Sequence, residues 1–217
     1  MTSGPVTGTG LRTGDVSCRL PAESVTGSGR SMPSAVAVAV VAAGCAALLA
    51  RPWLVRQPVD PVTVLVALFV VLGLVGATWA LPTPAAAGPV RSGPSLPAGL
   101  VLGVGLAAFG AGRLLAVGAV PVAPFILRSV ALNSLAAVAE EAFFRRFVYG
   151  LAAVRGPGLA VAASAVSFAA VHVTVWGWAV LPLDLAAGLV LGWQRWASGG
   201  WSVPAATHVA ANVLAVW

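Results

Sequence analysis

The chain has 217 residues, is 59% hydrophobic and only 8% charged, and has a mean hydropathy of +0.96. That composition excludes an ordinary soluble domain and points to a polytopic membrane protein. The formal net charge of +6 comes entirely from arginine, because there is no lysine. Arginines at the ends of apolar runs read as topology signals facing lipid headgroups, so no nucleic-acid partner is expected.

Residues 1–33 are rich in Gly, Ser and Thr and lack an apolar period, which predicts a disordered N-terminal tail. No signal peptide is read there, because the first apolar run begins only at Ser34. Cys18 in the tail and Cys45 in an apolar run are poorly placed to pair, which predicts two free thiols. Cys18 follows Asp15-Val16-Ser17 rather than an apolar stretch, so no lipid anchor is expected on it.

Residues 34–217 read as one transmembrane domain of about seven spans: 34–50, 62–81, 97–119, 125–154, 157–176, 178–196 and 201–217. Each approaches the ~20 apolar residues needed to cross ~30 Å of hydrocarbon. Breaks are supplied by Arg51, Pro52, Arg56 and Pro58, by the Pro- and Gly-rich stretch 82–97, by Pro121 and Pro124, and by the RGPG and ASGG stretches. Gly177 alone divides the fifth run from the sixth. The fourth run, at ~1.5 Å per residue, makes a rod of ~45 Å that must tilt or project from the bilayer. Placing the N-terminus in the cytoplasm puts Arg12, Arg19, Arg30, Arg91, Arg155 and Arg195 inside and leaves Arg51 and Arg56 in outer loops.

The fourth run contains Glu140, Glu141, Arg145 and Arg146, although the whole chain has only six acidic residues. An ionised group at bilayer depth costs at least ~2.5–3.5 kcal/mol, so the four must pair and face protein or a water-filled cavity. Glu141 and Arg145 are four apart and can form a salt bridge on one helix face. That leaves Glu140 without a partner on its own helix, as a candidate general base. Arg146 points elsewhere and is expected to snorkel towards the interface. The only two histidines, His172 and His208, lie inside the fifth and seventh runs. Glu140 precedes Arg155 by as many residues as His172 follows Pro157, so antiparallel helices joined there hold the two at similar depth. Asn212 shares a helix face with His208, and Asn133 lies two turns before Glu140; a buried amide in either place needs a polar partner.

Taken together these residues resemble the CPBP family of intramembrane proteases, which groups type II CAAX prenyl endopeptidases with bacterial Abi-type and bacteriocin-immunity proteins. The family pattern is E-E-x-x-F-R, F-x-x-x-H and H-x-x-x-N on three different helices. Here it reads Glu140-Glu141-Ala142-Phe143-Phe144-Arg145, then Phe168 to His172, then His208 to Asn212. The resemblance covers about 121–217, the protease-like core. It implies an all-α transmembrane bundle with a polar catalytic pocket between the fourth, fifth and seventh spans. In place of an aromatic that often precedes the sixth-span glycines, this chain has Asp184 before Gly188 and Gly192. The glycines read as a helix-packing face, and Asp184 is expected at the membrane edge.

By this resemblance Glu140 activates a water with help from His172, His208 and Asn212 stabilise the oxyanion, and Glu141 and Arg145 hold Glu140 in position. The expected protein is a multi-pass membrane endopeptidase, in the plasma membrane of a prokaryote, acting on a membrane-associated protein or peptide, with lipid as its surroundings. No cofactor is required on this reading. The alternative is zinc or another divalent metal held by Glu140, His172 and His208. Two competing readings are a proton relay in a transporter and a non-enzymatic scaffold or immunity protein. Oligomeric state stays open.

Overall fold

In the computed structural model the described residues are Met1, 34–78, 96–115 and 126–216. The tail expected over 1–33, Cys18 within it, lies outside the described residues apart from Met1, as do Arg91, Pro121 and Pro124. Backbone contacts divide the chain into Met1–Arg30 and Ser31–Trp217, and every helix below belongs to the second unit.

The described residues are helical throughout, with no strand among them. Helix α1 spans Ser34–Leu49, followed by the single turn α2, Arg51–Leu54. Helix α3 is Pro61–Thr78, α4 is Ala98–Leu115 and α5 is Ile126–Glu141. A π-helical segment, Ala142–Val148, carries α5 without a break into α6, Tyr149–Ala153. Helix α7 is Pro157–Trp176, a 3-10 turn covers Trp178–Val180, α8 is Leu181–Ser198 and α9 is Ser202–Val216. Helices α3 and α7 are long and apolar enough to cross a membrane, and 35–49 and 98–112 are shorter apolar helices.

The helix boundaries have local causes. Asp60 Oδ2 accepts hydrogen bonds from the Thr63 N–H at 2.8 Å and the Thr63 hydroxyl at 2.9 Å, which caps α3 at Pro61. Gly156 at φ 116° and Gly177 at φ 80° reverse the chain at the two ends of α7, in conformations that disfavour any side chain. The soft boundary at Gly177 is thus a real break. The fourth run is one rod, but its π segment is not visible as any composition change.

Apolar residues surround these helices on every side, so close approach depends on small ones. Gly188 lies over Ala165, where an added Cβ would stand 2.9 Å from the backbone, and Gly192 lies over Val161. The α7–α8 pair is therefore the glycine-mediated contact expected of that sequence. Gln194, fully buried, donates to the Val101 carbonyl and the Thr207 hydroxyl, both at 2.9 Å, tying α8 to α4 and α9. Phe143, Phe144, Phe147 and Phe168 fill the centre with Leu48, Phe69 and Leu72. Trp53, Trp176 and Trp178 are exposed beside the end of α7, where an interfacial aromatic belt would lie.

Candidate functional site

Glu140 and Glu141 are the last two residues of α5, where the helix widens into its π turn. The widening has a visible effect on the backbone. The Tyr149 N–H reaches back to the Phe144 carbonyl, not to the Arg145 carbonyl that an α-helix would use. The Arg145 carbonyl is left to accept from Arg195 Nε at 3.1 Å, while the Arg195 guanidinium rests on the Tyr149 ring.

Behind the cavity lies a buried electrostatic unit. Glu141 and Arg145 have no exposed side-chain surface, and Glu141 Oε1 is 3.1 Å from Arg145 Nη1. Arg145 Nη2 donates to the Gly188 carbonyl at 3.3 Å, and the guanidinium lies 4.5 Å from the Phe168 ring centroid. His208 Nδ1 is 2.9 Å from the same Glu141 oxygen. A carboxylate can only accept, so Nδ1 carries the proton and donates to it. The Phe168 ring touches both imidazoles, with centroids 4.6 Å from His172 and 5.6 Å from His208. Phe168 thereby fixes the spacing of three polar groups through one apolar face.

Glu140 stands in front. Its Oε2 is 3.8 Å from His172 Nε2 and its Oε1 is 3.6 Å from Arg51 Nη1. His172 Nδ1 is 2.8 Å from the Phe168 carbonyl, one turn back on α7, and must donate to it. In the neutral ring Nε2 is then an acceptor directed at Glu140. Asn212 Nδ2 donates to the Asn133 carbonyl at 3.0 Å, joining α9 to α5. Glu140, His172, His208, Asn212 and Arg51 line one cavity of about 560 Å³. Glu141 and Arg145 lie outside its lining and support it from behind.

Three expectations require correction. Arg51 is not a loop charge: it opens α2 and turns its guanidinium into the cavity beside Glu140, because the end of α1 delivers it there. Asp184, expected at the membrane edge, has an imidazole beside it. The α7–α8 hairpin brings its Oδ2 within 3.8 Å of His172 Nδ1. Arg146 does not snorkel outwards; Nη1 donates to the Gly76 carbonyl, where α3 packs on the π segment. Of these, only Asp184 had a signal in sequence, as an acidic residue within a span.

Glu140, His172 and His208 do not form a ligand cluster: no group of three metal-binding side chains occurs among the described residues. His208 Nδ1 donates to Glu141, so Nε2 is the nitrogen of that ring left for a ligand.

No curated protein and no solved structure matches this chain. Residues 122–214 match the family model described as type II CAAX prenyl endopeptidase Rce1-like. The matched segment contains Glu140, His172, His208 and Asn212, and Arg51 lies outside it.

Proposed function

We propose that this protein is an intramembrane endopeptidase of the CAAX type, hydrolysing a peptide bond in a membrane-associated protein. About seven helical spans would cross the plasma membrane of a prokaryote with the N-terminus in the cytoplasm. The family's name makes prenylated C-terminal segments the first substrate class to try. One observation carries the reading. Glu140 Oε2 and His172 Nε2 face each other across 3.8 Å inside a cavity.

With the ring neutral both groups are hydrogen-bond acceptors, so a water between them would donate one hydrogen to each and turn its lone pair towards a bound carbonyl. As the water oxygen bonds to the carbonyl carbon, its proton passes to the Glu140–His172 pair. That proton is then delivered to the leaving nitrogen as the C–N bond breaks. The developing oxyanion needs donors. Asn212 keeps one N–H beyond the one given to Asn133. His208 has spent its Nδ1–H on Glu141, so its Nε2 donates only when the ring is an imidazolium. Glu141 and Arg145 are positioning residues in this scheme. The mechanism is metal-free.

The test is Glu140→Gln, assayed on a farnesylated CAAX peptide in detergent or nanodiscs. Loss of cleavage by ~100-fold or more, with unchanged thermal stability, is expected for removal of a general base. Cleavage at the wild-type rate would remove Glu140 from the mechanism.

A further inference from the structure

Arg51 lies outside the segment that the family model covers, yet it is among the charged side chains closest to Glu140. Its contacts do not account for it. The 3.6 Å separation from Glu140 Oε1 is an ion pair and not a hydrogen bond. Its Nε and Nη2 are buried and have no hydrogen-bond partner. The guanidinium also lies 5.8 Å from the Phe69 ring centroid, on the cavity wall. A simple counter-ion for Glu140 would use one edge of the fork. This one has two further N–H groups without acceptors, in a low-dielectric site where such groups are rarely left unmade.

The geometry points to Arg51 as a substrate-binding residue that takes an anionic oxygen of the substrate in this cavity. This rests on the peptidase reading above and adds to it. Such an oxygen can be the oxyanion formed at the scissile carbonyl or the free carboxylate at the substrate's C-terminus. A carboxylate presents two coplanar oxygens to the guanidinium fork, and a tetrahedral oxyanion presents one charged oxygen to its N–H groups. The adjacent donors leave room for it. Asn212 has given one N–H to Asn133, and His208 has given its Nδ1–H to Glu141. Arg56 also lines the cavity, so the end nearest α2 is basic while Glu140 supplies the acceptor. A substrate would lie with its reacting carbonyl at Glu140 and its negative oxygen towards α2.

The experiment compares wild type, Arg51→Gln and Arg51→Lys on two farnesylated CAAX peptides, one ending in a free carboxylate and one in a carboxamide. If Arg51 binds the terminal carboxylate, Arg51→Gln raises KM for the acid by ~30-fold or more and leaves the carboxamide unaffected. If it binds the oxyanion, kcat falls by ~100-fold on both peptides with little change in KM. Either result supports the inference. Unchanged kinetics in Arg51→Gln would overturn it. So would full recovery in Arg51→Lys, since lysine restores the charge beside Glu140 but not the fork. Thermal unfolding of each variant identifies a folding defect, in which case Arg51→Lys alone carries the comparison. If wild type cleaves neither peptide, the peptidase reading fails. Calorimetric binding of the free-acid CAAX peptide to wild type and its loss in Arg51→Gln would then still support the anion site, and equal binding to both would overturn it.

Discussion

Arg145→Met is the most exacting test of the buried electrostatic unit. Methionine fills much of the arginine's volume without its charge, so little of the effect comes from a void. Glu141 would then keep only His208, and its second oxygen already has no hydrogen-bond partner. Removing one member of a fully buried pair costs about 3–5 kcal/mol, because the remaining charge is stranded. Loss of the guanidinium from the Phe168 face adds up to about 2 kcal/mol. At about 2–4 °C per kcal/mol for a chain of this size, the midpoint should fall by at least ~6 °C. Circular dichroism melts of the purified protein in detergent would measure it. The double variant Glu141→Gln/Arg145→Met removes both charges and should recover more than half of the loss. A single variant within ~2 °C of wild type, or a double variant whose loss equals the sum of the singles, would refute the claim that the two charges are coupled.

Other outcomes follow from the same geometry. Gly188→Ala should lower the melting temperature, costing about 1–3 kcal/mol, because its Cβ would meet the Ala165 backbone at 2.9 Å. Gly110→Ala, with nothing within 4 Å, should be neutral or slightly stabilising in the same melt. Exhaustive chelation followed by metal analysis should leave peptidase activity intact; loss on chelation and return with zinc would sink the metal-free scheme. The cap at Asp60 predicts a pH effect. The Thr63 N–H, and next its hydroxyl, hold this carboxyl below the ordinary range. Its contribution is therefore present above the usual carboxylate pKa and lost as pH falls through the lowered value. Asp60→Asn should flatten that acid limb in melts taken across pH, and an unaltered limb would discard the cap.

The rods were legible because their ends are set by local residues. The sequence boundaries 157–176 and 34–50 meet helices at Pro157–Trp176 and Ser34–Leu49, since Pro, Gly and Arg interrupt apolar runs visibly. Helical spacing also made the Glu141–Arg145 pair readable, and the depth argument holds for Glu140 and His172, which face each other. What remained hidden depends on contacts between distant segments. Arg51 looks like a topology signal until α2 is placed beside α5. Asp184 looks like an edge residue until the α7–α8 hairpin folds it onto His172. The commitment of His208 to Glu141 needs the α5–α9 contact, which no periodicity encodes. Nor does any residue between 142 and 148 announce a wider turn.

That wider turn makes the chain sensitive to length as well as to identity. Removing any one residue from Ala142–Val148 would let an ordinary helix form, at the cost of rotating one side against the other by about 100°. The carboxylates upstream and the Tyr149–Arg195 latch downstream could not then both keep their neighbours. Insertions and deletions in this stretch should be far less tolerated than most single replacements, so the spacing between these landmarks behaves like a gauge block cut to one size.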